Sequence, residues 1–280
     1  MRRAALLLAL AAAACAPAPV RSPAMDDARS LAAAESAFAA HSVREDMRVA
    51  FLANFGGDGV FVRGGWVNAR EWLTPRPAPA IVLDWRPAYT EVAASGEMGL
   101  STGPWKITSK ADANAAPAYG QFVSIWKRDG GGPWRVEVDL GISHPQPTYW
   151  DRGLETVAVT AEPAQAGDTI EAAERRFADD ARASGTRAAY ARHGASALRL
   201  YRNGASPMAG KQASLAWPGL DERREWMVEK SETARSGDFG YARGAYAAAQ
   251  GARPDGWYLR VWHREAGAWR IALDVANPRQ

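Results

Sequence analysis

Apolar positions follow two different periods along the chain, and the change from one to the other occurs twice. The apolar positions at helical spacing are Leu31, Ala34 and Phe38 in the first copy and Ile170, Ala173 and Phe177 in the second. They predict two amphipathic helices, the first of them capped by Ser30. Shorter helices are predicted over 48–54 and 187–193. Period-two segments then predict strands over 119–128, 134–140, 257–264 and 269–275. Helices followed by a meander of strands indicate an α+β fold.

The two copies match along their whole length. Glu35 matches Glu174 at an offset of 174 − 35 = 139, and Trp134 matches Trp269 at 269 − 134 = 135. Small drifts in offset indicate two similar domains whose length differences fall in loops, the largest within 108–118. The predicted domains are 30–145 and 168–280, joined by a linker over 146–167 that contains one added strand near 155–160. Two hydrophobic cores, one for each domain, are expected.

A short phrase is repeated within this pattern, as SGEMG over 95–99 and SGDFG over 236–240. The Ser-Gly pair predicts a tight turn in which glycine relieves backbone strain. The second glycine of each phrase permits a bend or a close approach. We therefore interpret the phrase as the point where each sheet begins to curve, and not as an active-site motif.

The first residues have the pattern of a signal peptide over 1–15. Arg2 and Arg3 precede a short apolar run, and Cys15 follows three alanines, which resembles a bacterial lipobox. The run is shorter than the roughly 20 residues that a membrane span needs. We expect an exported, lipid-anchored protein of the bacterial cell envelope, facing the periplasm, with a tether over 16–29. The alternative is an ordinary signal peptide in which Cys15 is incidental.

Composition and motifs exclude several classes. The formal net charge of +3 comes with no basic run interleaved with aromatic residues, so no nucleic-acid partner is expected. A single cysteine excludes an intramolecular disulfide and a cysteine-based metal site. The four histidines lack metal-binding spacing, and no Walker, Rossmann or G-x-S-x-G motif occurs. We expect neither a metal nor a cofactor.

Taken together, these motifs resemble the DUF4440 branch of the NTF2-like superfamily, which includes SnoaL-like and ketosteroid-isomerase-like domains. In the first domain the resemblance rests on Ala34, Glu35, Phe38, Trp85, Pro87, Ser95, Gly96, Glu97, Gly99, Gly103, Trp105, Trp126, Trp134 and Asp139. The second domain departs from it at Val228 and Tyr246. The resemblance implies two tandem cone-shaped domains, in each of which a long helix packs into a strongly curved sheet. The mouth of such a cone can hold a small molecule.

Enzymes of this superfamily use a carboxylate inside the cone as general base, often on the first strand after the helices. Arg63 and Arg202 stand at that place here. An arginine cannot abstract a proton at neutral pH, which weakens an isomerase interpretation. These arginines could instead bind an anionic ligand, or be solvated or structurally paired residues at a strand end.

Asp139 is the best candidate for a base, with Asp84 next. Asp139 alternates with Trp134, Val136 and Val138, which places it on the opposite face of a regular strand. The alternative is a structural acid, because Asp274 repeats it in the second domain. The pocket-lining candidates are Trp66, Asp84, Trp85, Tyr89, Trp105, Trp126, Arg63, Trp226, Asp274 and Arg202. The aromatic members could equally form the core.

Three functional hypotheses follow. The first is a non-catalytic protein that binds a small hydrophobic or anionic molecule. The second is an isomerase, dehydratase or hydrolase that acts on a small hydrophobic substrate in the first cone. The third is a scaffold in which the two domains pair through their sheets within one chain, which predicts a monomer in solution.

Overall fold

The computed structural model describes residues 23–145, 153–160 and 167–279. The predicted signal peptide and Cys15 lie outside them. The helices of domain 1 are α1 (Pro23–Arg44), α2 (Met47–Asn54) and α3 (Ala69–Leu73). Because α1 begins at Pro23, residues 23–29 belong to this helix and not to the tether, and Ser30 is no N-cap. None of the helices within the described ranges combines the length and hydropathy needed to cross a membrane.

The strands of domain 1 form one curved, mixed sheet. They are β1 (Phe55–Val62), β2 (Trp66–Asn68), β3 (Ile81–Trp85), β4 (Tyr89–Val92), β5 (Met98–Ser109), β6 (Ala118–Lys127), β7 (Arg135–Ser143) and β8 (Glu155–Ala158). Their order is β2-β1-β7-β6-β5-β4-β8, and β3 also pairs with β5. The strand β8 comes from the predicted linker and extends this sheet in parallel with β4.

Domain 2 repeats the arrangement. Its helices are α4 (Ile170–Ser184), α5 (Thr186–His193), α6 (Lys211–Leu215) and a 3₁₀ turn (Pro218–Asp221). Its strands are β9 (Gly194–Arg202), β10 (Met208–Ala209), β11 (Glu225–Thr233), β12 (Phe239–Ala247), β13 (Gly256–Glu265) and β14 (Ala268–Pro278). Their order is β10-β9-β14-β13-β12-β11, in which the first five strands match β2-β1-β7-β6-β5 of domain 1. The last, β11, pairs with β12 as β3 and β4 pair with β5. The chain is therefore α+β, with a long helix packed into a curved sheet in each half.

The long helix approaches the concave face of its sheet closely at a glycine. A Cβ atom at Gly99 would lie 2.7 Å from Leu31 of α1, and one at Gly240 would lie 2.4 Å from Ile170 of α4. The same Cβ atoms would lie 2.8 Å from the carbonyl oxygen of Glu91 and 2.3 Å from that of Glu232, on the neighbouring strands, so a larger residue does not fit between the strand and the helix. This close approach explains the last glycine of each repeated phrase.

A β-bulge in β7 changes which side chains face the cone. Ile125 pairs with Val138 and Trp126 pairs with Val136, so Glu137 is the extra residue. Val136 therefore packs in the core of domain 1, whereas Val138 packs on the other side of the sheet. Asp139 faces the cone, on the same side as Val136. The predicted strict alternation, with Val136 opposite Asp139, was wrong because a bulge shifts the pattern by one residue.

A third hydrophobic cluster joins the outer faces of the two sheets, in addition to the core of each domain. Leu100 and Ile125 of domain 1 belong to it, as do Leu259 and Val261 of domain 2. The expectation of two cores was therefore incomplete. It did not allow for strands that are apolar on both faces.

The two repeated turns meet each other where the domains touch. The hydroxyl oxygens of Ser95 and Ser236 lie 2.7 Å apart, and each also accepts the backbone N–H of the other serine. Glu97 and Asp238 each accept a backbone N–H from the opposite turn, at 2.6 and 3.1 Å. The contact is reciprocal, as across a two-fold axis. We refer to residues 94–97 and 235–238 as the turn clasp.

Candidate functional site

Domain 1 encloses a cavity of about 610 Å³ between its helices and the concave face of its sheet. The walls are mostly apolar and include Phe38, Phe51, Trp85, Trp105 and Phe122. This volume and lining are typical of sites for small molecules.

Four charged side chains line the cavity. Glu35 and Asp139 lie inside it, and the exposed Arg63 and Arg76 lie at its opening. Both guanidinium groups pack over the ring of Trp72, at 5.3 and 4.1 Å from its centroid. The opening thus carries positive charge and the interior carries two acids.

Glu35 is fully buried on α1. Burial raises its pKa to about 7, although the indole N–H groups of Trp85 and Trp126 donate to its two oxygens at 2.7 and 2.8 Å. The nearby Asp139 adds to this increase. No cation forms an ion pair with Glu35 among the described residues, which leaves burial as the dominant effect.

Asp139 extends from β7 toward the same interior. Burial raises its pKa to about 6, opposed by the Ser124 hydroxyl, which donates at 2.8 Å, and by the charge of Arg63. A carboxyl group with such a pKa changes protonation near neutral pH. It can therefore accept a proton under ordinary conditions.

The same interior in domain 2 is occupied by a side chain. Arg260 is fully buried, and its guanidinium contacts Glu174 at 2.6 Å and Asp274 at 2.7 Å. Arg202 forms a second ion pair with Asp274, at 2.7 Å. The two acids of domain 2 are therefore neutralised from within the protein.

Strand register identifies the residue of domain 1 that replaces this arginine. Arg260 lies directly opposite Asp274 on the neighbouring strand, and Ser124 lies directly opposite Asp139. The position that holds an arginine in domain 2 thus holds a serine in domain 1. The small side chain leaves the cone open.

The structure brings together four of the predicted site residues. Arg63, Trp85, Trp105 and Asp139 line the domain 1 cavity. Trp126 is buried beside it and contacts Glu35.

The other predicted residues lie elsewhere, so their assignment to a pocket is corrected. Asp84 faces away from the cavity because Leu83 and Trp85 of the same strand face into it. Trp66 and Tyr89 lie between the domains: the indole of Trp66 donates to the carbonyl of Gly244 at 3.0 Å, and Tyr89 packs under Arg199. The last three candidates, Trp226, Asp274 and Arg202, lie in the packed interior of domain 2.

Sequence reasoning missed Glu35 as a site residue. It was noted only as a repeated position, although a carboxylate one turn before Phe38 on an apolar helix face is a signal of a buried acid. The described part of the chain contains no cluster of three or more side chains suited to a metal ion.

Comparison with known proteins concerns the fold alone. No protein-family model and no curated protein matches the chain. Among solved structures, an NTF2-like protein of unknown function from Shewanella oneidensis is 16% identical and matches 39% of this chain and 98% of its own, with a TM-score of 0.32. A ketosteroid isomerase-like protein from Erwinia carotovora is 17% identical over 44% and 98%, with a TM-score of 0.34. A putative SnoaL-like polyketide cyclase from Jannaschia is 13% identical over 41% and 90%, with a TM-score of 0.29.

Proposed function

We propose that domain 1 binds a small, mostly apolar molecule in its cone and that domain 2 is a packed scaffold. The observation that carries this proposal is the contrast between the two interiors. One contains a cavity of about 610 Å³, and the other is filled by Arg260. Aromatic walls with a few convergent polar groups are the usual lining of a ligand site.

Adjacent residues of β3 provide a matched test. Leu83 lines the cavity, whereas Val82 points to the other face of the strand. Binding of the neutral fluorescent probe N-phenyl-1-naphthylamine should weaken at least tenfold in Leu83→Trp, whose indole fills the cavity. Val82→Trp should bind like the wild type. Equal binding by all three proteins, or by none, would contradict the proposal.

A second candidate function is proton abstraction by Asp139. It is favoured by the two carboxyl groups of raised pKa that face one apolar cavity, since a base with a pKa near the working pH is effective. The protein should then catalyse exchange of an α-proton of a small carbonyl compound with deuterium from D₂O, detected by NMR. The exchange should vanish in Asp139→Asn and persist in Asp84→Asn. Exchange that does not depend on Asp139 would exclude it as the base.

The location of the protein is proposed from its first residues. The short apolar run and Cys15 support export and lipid anchoring in a bacterial envelope. Cys15→Ser should move the protein from the membrane fraction to the soluble fraction. An unchanged distribution would contradict lipid anchoring.

The contacts between the sheets support pairing of the two domains within one chain, which leaves a monomer. Light scattering should give a mass near 30 kDa for the whole chain. A stable dimer would contradict this part of the proposal.

A further inference from the structure

In the interior of domain 2, aromatic and acidic side chains surround the guanidinium group of Arg260. The guanidinium of Arg260 lies 3.9 Å from the ring centroid of Phe177, 4.7 Å from Trp226 and 4.9 Å from Tyr258. Together with the two carboxylates, these rings form an acidic aromatic cage around one cation. In domain 1 the position of this arginine is taken by Ser124.

Domain 1 keeps the rest of the cage. Phe38, Trp85 and Phe122 occupy the places of the three aromatic residues, and Glu35 and Asp139 occupy the places of the two acids. All five line the cavity. The cage of domain 1 therefore differs from that of domain 2 mainly in the loss of its central cation.

Charges lead to the same conclusion. Two acids and two guanidinium groups meet inside domain 2. Inside domain 1, the charge of Arg63 acts on Asp139, and Glu35 has no cationic partner among the described residues. Arg63 and Arg76 are both exposed at the opening, where they pack over Trp72. One positive charge is missing from the interior.

We propose that the domain 1 cavity binds a compound with one guanidinium group on an apolar body, with the guanidinium at the place that Arg260 holds in domain 2. This inference rests on the proposed function, since it specifies the ligand of the same cavity. The planar group would pair with Glu35 and Asp139 and stack on the aromatic rings. The remaining volume, lined by Trp105 and Ile107, would hold the apolar body.

The protonation of the two acids fits this arrangement. Burial raises the pKa of Glu35 to about 7 and that of Asp139 to about 6. A bound cation favours the ionised forms, so binding should release protons near neutral pH. The other charged side chains that face the cavity are those of Arg63 and Arg76, at its opening.

Three probes of similar shape test the preference for a cation. Benzylguanidine is positively charged, benzylurea is neutral and phenylacetate is negatively charged. At pH 8, calorimetry should show that benzylguanidine binds at least tenfold more tightly than the other two. Its affinity should fall at least tenfold between pH 8 and pH 5, and that of benzylurea should stay constant.

Variants separate the cage from the rest of the cavity. Glu35→Gln should lower the affinity for benzylguanidine at least tenfold more than the affinity for benzylurea. Asp84→Asn should change neither affinity. Ser124→Arg should supply the missing cation from within and abolish binding of benzylguanidine. Asp84→Arg adds the same side chain on the face of β3 that points away from the cavity, and should retain binding.

The outcomes distinguish this inference from the proposed function. Equal or tighter binding of benzylurea or phenylacetate, or no dependence on pH or Glu35, overturns the preference for a cation while the cavity remains a ligand site. Failure of both the neutral fluorescent probe and all three compounds to bind overturns the two together.

Discussion

Removing the carboxylate of Glu35 should change how the stability of the protein depends on pH. The pKa of this group is about 7 in the folded protein against 4.5 for the exposed side chain. The difference, 7 − 4.5 = 2.5 units, corresponds to about 3 kcal/mol at 1.36 kcal/mol per unit. Because the folded state binds the proton more tightly, this contribution is present below pH 4.5 and is lost as the pH rises through about 7. Glu35→Gln cannot ionise and should not show the loss.

Urea unfolding at pH 5 and pH 8, followed by tryptophan fluorescence, measures the effect. Trp85 and Trp126 both donate to Glu35 and therefore report on its surroundings. Between the two pH values the wild type should lose about 2–3 kcal/mol more than Glu35→Gln. Asp26→Asn removes an exposed carboxylate of the same helix and should behave like the wild type. Parallel pH profiles for the wild type and Glu35→Gln would refute a raised pKa at this position.

The remaining predictions concern domain 2 and the contact between the domains. Arg260→Ala should lower the free energy of unfolding by about 3–5 kcal/mol, because it leaves the buried Glu174 without a cationic partner and leaves Asp274 with Arg202 alone. A loss below about 1 kcal/mol in urea unfolding would contradict the ion pairs of Arg260. Burial raises the pKa of Glu91, but the hydrogen bond and charge of His263 hold it below its usual value. Glu91→Gln should therefore lower the free energy of unfolding by about 1.5–3 kcal/mol at pH 7. The difference in stability between this variant and the wild type should become smaller as the pH falls below 4.5. Trp66→Phe removes the indole donor to the carbonyl of Gly244 and should lower the free energy of unfolding by about 1 kcal/mol in urea or thermal unfolding. An unchanged free energy of unfolding would contradict a stabilising role for this hydrogen bond.

The order of elements could be predicted from the sequence because helical and strand periods are local properties. The predicted helix over 48–54 corresponds to α2, and the predicted strand over 119–128 corresponds to β6. The bulge at Glu137 could not be predicted, since one extra residue in a strand leaves no mark in composition. Because of this bulge, Val136 faces the cone on the same side as Asp139, whereas Val138 faces the other domain.

The third hydrophobic cluster has a counterpart in the sequence, because its strands carry apolar residues on both faces. In β6, Phe122 faces the cone, whereas Val123 and Ile125 face the other domain, so both faces of the strand are apolar. Such a pattern indicates a strand covered on both sides. The difference between Ser124 and Arg260 was also visible in the aligned repeats, but its meaning depended on knowing that both side chains face inward.

The reciprocal turn clasp has a genetic consequence. In a dimer of identical subunits, one mutation alters both halves at once, so a residue that fills one cone fills the other. In this chain positions 124 and 260 are encoded separately, although the two turns still meet as symmetry mates would. One half can therefore lose its central arginine and open its cone without exposing the other half to the same loss. A gene that encodes both halves in one chain thus permits one open and one filled cone, which a symmetric dimer of identical subunits could not have.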